Sequence, residues 1–143
     1  MLWNQLRDLA RKALDIGLQS DNVATAAAGY NLISAMQDLE KADETFEIGV
    51  QAIPGFGDSP GGTGLRAKGG IGIVIDPARM PQINRLAVLG HEIGHAHQHL
   101  KGVPLGRQWE GYSISMENRV RKALGCARRS QILSWLGITP ECL

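Results

Sequence analysis

The chain has 143 residues, enough for one domain with a single core. Its 43% hydrophobic and 20% charged residues exclude a wholly disordered chain, and a net charge of +1 excludes nucleic-acid binding by bulk charge. Glycine is in excess, with 18 residues, while aromatic residues make up only 5%. Such a balance points to long loops or close backbone approaches.

No apolar run reaches about 18 residues, so no transmembrane helix is expected. The opening MLWNQLRDLARKALDIGLQS carries charges throughout and lacks the apolar centre of a signal peptide, so a Sec route is not expected. Charge is uneven: residues 1–53 hold 4 basic and 8 acidic side chains, and residues 54–143 hold 11 and 6. No linker divides the halves, and 1–143 reads as one domain.

In chain order, Leu2, Trp3, Leu6, Leu9, Ala13 and Ile16 recur at helical spacing and predict a helix over 2–18. Ser20 and Asp21 are N-cap residues for a second helix, ending near Lys41. That helix is expected to bury Val23, Ala26, Ala27, Tyr30, Ile33 and Met36. Residues 45–52 alternate apolar and polar side chains and predict a strand. Eight glycines crowd between Gly55 and Gly72. Their first part, 54–64, reads as a mobile loop, and 70–77 reads as a second strand stopped by Pro77. A hairpin or neighbouring strands would follow.

The third helix is predicted over about 81–101, with Gly102 as its C-terminal cap. Gly90 and Gly94 lie within it, where each weakens a helix by about 1 kcal/mol. Their spacing leaves room for a sheet or helix to approach closely. Further helices are predicted at 113–125 and 129–136. Cys126 and Cys142 are too few for a disulfide framework, and the plainer expectation is two unpaired thiols.

The third helix contains His91-Glu92-Ile93-Gly94-His95. Histidines at i and i+4 lie about 40° apart around a helix, so both imidazoles reach one zinc ion. Glu92 sits about 100° from His91 and reaches a water on the metal without binding the metal. With 4 His and 7 Glu in the chain, a chance match has a probability of about 0.5%. A third ligand is required. Glu110 is the first candidate and Glu117 the second, and the other of the two is free to orient a histidine. His99 borders the metal face, whereas His97 points about 200° away from His95. Tyr112 is the first candidate for the electrophilic partner of a peptide carbonyl, with Arg119 or Arg121 behind it. Asp76 reads as half of a turn with Pro77.

The stretch Gly90-His-Glu-Ile-Gly-His-Ala-His-Gln-His-Leu-Lys-Gly102 resembles the zinc helix of bacterial secreted-effector metallopeptidases, the NleD-type effector proteases and their toxin-module relatives. Glu117-Asn-Arg-Val-Arg-Lys-Ala-Leu-Gly125 resembles a family signature of the form ENxxR, and the likeness covers about 30–125. The family carries a glutamate pair after HExxH, where this chain has the single carboxylate of Trp109-Glu110-Gly111. The resemblance implies an α+β, zincin-like (gluzincin-like) domain with Zn2+ held by His91, His95 and Glu110. It implies endopeptidase activity on a protein of a target cell, for which the residues themselves offer Glu92 and Tyr112 as catalytic. It also implies secretion by a specialised non-Sec system into the target-cell cytoplasm, and the basic C-terminal half offers a docking face for an acidic partner such as an immunity or inhibitor protein. The alternatives are a non-catalytic interaction module and a zinc amidase acting on a non-protein substrate. A peptide substrate would lie against an edge strand, expected at 70–76.

Overall fold

The computed structural model describes residues 2–42, 46–51, 59–66, 69–79, 81, 83–104, 110–130 and 142. These form an α+β domain with helices α1 (Leu2–Gln19), α2 (Val23–Lys41), α3 (Arg85–Leu100) and α4 (Glu110–Leu124). Three strands, β1 (Phe46–Val50), β2 (Gly61–Leu65) and β3 (Ile71–Ile75), make one sheet in the order β1-β3-β2. Among the described residues, no helix is long and apolar enough to cross a membrane.

The first two helices stand where the apolar spacing predicts them, but their caps and faces differ in detail. Asn22, not Ser20 or Asp21, caps α2, its side chain accepting from Thr25 N at 3.1 Å. Asp21 instead takes the left-handed turn between the helices, at φ 56°. The buried face of α2 is Ala26, Ala28, Gly29, Leu32, Ala35, Met36 and Leu39. Val23 and Tyr30 are 76% and 62% exposed, against expectation. The cause is the close approach of α1. A Cβ at Gly29 would stand 2.4 Å from Ala10 O, and one at Gly17 2.4 Å from Ala26 N. Small residues therefore line the contact with α1, Leu32, Met36 and Leu39 are buried with them, and Val23 and Tyr30 turn outward.

The glycine-rich region is not all loop. Gly61–Leu65 pairs antiparallel with β3, and Pro60 O accepts from Asp76 N at 2.7 Å. Residues 54–58 of the expected loop lie outside the described residues. A strand of this composition has little β propensity of its own. It forms because β3 supplies the hydrogen bonds and because Gly61 lets the backbone reach α3, where a Cβ would stand 2.8 Å from Val88 Cγ1. β1 and β3 are neighbours, as expected, and run parallel. β3 is thus the central strand, paired on both sides, so it has no open edge for a substrate. The edge beside α3 is β2.

Ile71, Ile73 and Ile75 point from one face of β3 into the core, each at most 1% exposed. There they meet α3, whose Leu89, Ile93 and Ala96 are fully buried. α3 begins at Arg85, later than expected, because Asn84 caps it by accepting from Leu86 N at 2.8 Å. Gly102 closes its far end at φ 89°. Gly90 and Gly94 serve the close approach expected of them, and the neighbour is α4. A Cβ at Gly90 would meet Val120 Cγ2 at 2.4 Å, and one at Gly94 would meet Ser113 Cα at 2.6 Å.

α4 starts three residues before its expected beginning. After it, residues 126–130 have no regular structure, so the expected helix at 129–136 does not begin there, and its remaining part lies outside the described residues. Cys126 and Cys142 are joined in a disulfide, contrary to the expectation of free thiols. Gly125, at φ 78°, turns the chain, and Ile83 pairs with Cys142. The two Cα atoms come to 5.5 Å, within disulfide reach.

Gly94→Ala tests the α3–α4 contact. Helix propensity alone would favour alanine by about 1 kcal/mol. Its methyl would have to displace backbone at Ser113, and overpacking of this kind costs about 1–3 kcal/mol. A lower urea midpoint is expected, and an unchanged or raised midpoint would show that the helices are free to separate.

Candidate metal centre

The close α3–α4 approach brings three side chains to one point. His91 and His95 stand on one face of α3, their rings 5.1 Å apart between centroids. Glu110, the first residue of α4, faces both: Oε2 lies 2.9 Å from His91 Nε2 and Oε1 lies 2.9 Å from His95 Nε2. One ligand atom from each residue lies within 4.8 Å of the others. Two imidazoles and a carboxylate are the donor set of open, catalytic zinc sites, so these residues fit the ion that the sequence implies. His99 is not part of the group.

Glu117 takes the second role foreseen for it. It lies two turns along α4 from Glu110, about 20° away around the axis. Its Oε1 is 3.0 Å from His91 Nδ1. A carboxylate there fixes the tautomer with hydrogen on Nδ1 and leaves Nε2 as the metal-facing nitrogen. The same carboxylate accepts from Arg121 Nε at 2.7 Å and Arg129 Nη1 at 2.8 Å. Glu117, Arg121 and Arg129 are each at most 1% exposed. Asn118 holds Arg129 by its backbone, accepting from its N at 2.7 Å and donating to its O at 2.8 Å.

These contacts move the pKa values. Burial works against charge on His91, but hydrogen bonds to Glu110 and Glu117 and the charge of Glu92 outweigh it and raise the imidazole from 6.5 to about 9. Burial also works against charge on Glu110, but His91 and His95 hold it well below the usual carboxylate range. Glu117 is likewise lowered against its burial, by His91, Arg129 and Arg121.

Glu92 stands beside the cluster, 2% exposed, and receives a hydrogen bond from the Thr63 hydroxyl at 2.8 Å on Oε1. Thr63 is on β2, so the edge strand positions this carboxylate.

Tyr112 is not brought to the cluster. It lies about 200° around α4 from Glu110. Its ring stacks on His97 and its hydroxyl is 2.5 Å from His97 Nδ1. His97 Nε2 is 2.7 Å from Asp38 Oδ2. The carboxylate only accepts, so in the neutral imidazole Nε2 carries the hydrogen and Nδ1 accepts from the tyrosine. The chain Asp38–His97–Tyr112 therefore ties α2, α3 and α4 together away from the metal face. Burial raises the Tyr112 pKa. The two arginines considered as electrophiles are also elsewhere: Arg121 is held on Glu117, and Arg119 donates to Met116 Sδ. Asp76 is a turn residue, as expected, accepting from Ala78 N and Arg79 Nε.

The sequence reading missed Thr63, Arg129 and the Asp38–His97 pair. Thr63 was hidden in a segment read as loop, and Arg129 in one read as helix. The chain matches no protein-family model, no curated protein and no solved structure.

A raised histidine pKa stabilises the metal-free fold fully below pH 6.5, and this contribution is lost as pH rises through about 9. The size is on the order of 3 kcal/mol. The lowered Glu110 acts oppositely: its contribution is present above its ordinary pKa and lost as pH falls. The metal-free chain is therefore expected to have a urea midpoint that falls between pH 6.5 and 9, with a shallower fall in Glu110→Gln. A flat midpoint over that range would contradict the His91 contacts.

Proposed function

We propose that this chain is a zinc endopeptidase of gluzincin-like fold, acting as a secreted bacterial effector or toxin domain on a protein of a target cell. The observation that carries the reading is the convergence of His91, His95 and Glu110 beside Glu92. His91 and His95 supply imidazole nitrogens, and Glu110 supplies a carboxylate oxygen, to hold the ion. A zinc ion bound there supplies a Lewis acid and lowers the pKa of water. Ion binding needs the neutral imidazole, so His91 must give up the proton that its neighbours favour.

Glu92 is the general base. Its carboxylate takes a proton from the attacking water and returns it to the departing amine. The Thr63 hydroxyl restrains Oε1 for this work. Glu117 orients His91, and Arg121 and Arg129 keep Glu117 ionised. Tyr112 has no part in this scheme.

The antiparallel edge strand β2, beside Glu92, supports the fold assignment and gives an extended substrate a backbone to pair with. The disulfide supports passage through an oxidising space before the chain meets its substrate, because such bonds form outside reducing cytoplasm. Action in the target-cell cytoplasm, delivery by a non-Sec system and an immunity or inhibitor protein as partner complete the proposal.

The test compares zinc-loaded wild type with Glu92→Gln on a denatured peptide library, reading new N-termini by mass spectrometry. The variant is expected to keep zinc but lose about 10²–10⁴ in rate. Equal cleavage by both proteins, or cleavage that survives zinc removal, would sink the reading.

A further inference from the structure

A second site lies on another side of α4. A cavity of about 410 Å3 opens between α2, α4 and the segment after α4. Arg119, Lys122 and Arg128 line it, together with Asn31 and Ser115, and among the described residues no carboxylate does. Small alanines and a glycine form much of the remaining wall.

Only some basic side chains are paired with carboxylates among the described residues, and Arg11, Lys12, Lys41, Arg85 and Lys101 are not. Arg7, Arg66, Arg79, Arg121 and Arg129 each lie within salt-bridge reach of a carboxylate, on Glu40, Glu47, Asp76 and Glu117. Arg119, Lys122 and Arg128 form no such pair among the described residues, yet all three face one hollow. Arg128 is also anchored, because Asn118 holds the backbone of the next residue on both sides. Like charges gathered around a cavity repel one another, and an anion between them relieves that repulsion.

We propose that this cavity binds a phosphate-bearing small molecule. Two guanidinium forks and an ammonium match a multiply charged tetrahedral oxyanion better than a single carboxylate, which carries one charge. The Asn31 amide and the Ser115 hydroxyl add uncharged donors. The cations surround one hollow instead of forming a stripe, and among the described residues no aromatic side chain lines it to stack a base, so a nucleic-acid strand is disfavoured. The volume lies in the range of small-ligand pockets. The site uses no residue of the metal cluster, so it stands or falls independently of the peptidase reading.

Calorimetry at fixed ionic strength tests it, with inorganic pyrophosphate and ribose 5-phosphate as probes and citrate as the polycarboxylate control. Wild type is expected to bind one equivalent of a phosphate probe, and Arg119→Ala to weaken it at least tenfold. Ser115→Glu places a carboxylate at the cavity without removing a cation and is expected to weaken binding similarly. Lys12→Ala, an exposed cation on α1, is expected to bind as wild type does. Thermal unfolding checks that each variant is folded. Tighter binding of pyrophosphate marks a free polyphosphate and tighter binding of ribose 5-phosphate marks an ester, and either upholds the proposal. No detectable binding of either probe, citrate binding as tightly, equal binding by Arg119→Ala, or an equal loss in Lys12→Ala would overturn it.

Discussion

Glu117 is the charge around which the helical half of this molecule is arranged. A carboxylate with no exposed surface is costly unless its oxygens are fully engaged. Here His91, Arg121 and Arg129 engage them from three directions. Each partner comes from a different stretch of chain: α3, the next turn of α4, and the segment beyond it. The electrostatic requirement of one buried group thereby fixes the orientation of the His91 imidazole, the path of the chain after α4 and the contact between α3 and α4. Removing it would take the carboxylate away from two buried guanidinium groups, a larger penalty than the loss of one hydrogen bond.

Packing prepares the place where that network forms. Gly90 and Gly94 let α4 lie close enough to α3 for Ser113 and Val120 to fill what would be Cβ space. Gly17 and Gly29 do the same between α1 and α2. At these four positions the missing side chain is the structural contribution, and the helices accept the propensity cost to gain proximity. The disulfide works in the same direction, since Arg129 falls inside the loop that it closes.

Much of the His91–His95–Glu110 cluster was legible in the sequence because it rests on helical periodicity, which is local. The pairing of His91 with His95 follows from 3.6 residues per turn, and the shared face of Glu110 and Glu117 follows once one helix runs through both. The contacts of Tyr112 were not legible. Nearness to Glu110 in sequence placed it near the site, whereas its position around α4 carries it to His97. β2 was missed for a related reason. Gly-Gly-Thr-Gly has no strand pattern, and its pairing depends on β3 and α3, which no local reading of 61–65 contains. The face of α2 was read in part, since Ala26 and Met36 are buried as expected, but the close contact with α1 at Gly29 was not legible and Val23 and Tyr30 lie outside it. The disulfide depends on long-range placement of Cys142 beside Ile83.

The make-up of β2 also limits how any extended chain laid along it can be told apart from another. On the side facing α3 it presents Gly61 and Thr63, and both are occupied with α3. On the other side Gly62 and Gly64 have nothing within 4 Å of where a Cβ would stand. Apart from the exposed Leu65 at its end, such an edge offers amides and carbonyls but no free side chain, so it reads mainly the main chain. Discrimination between sequences must then be written in walls other than this strand.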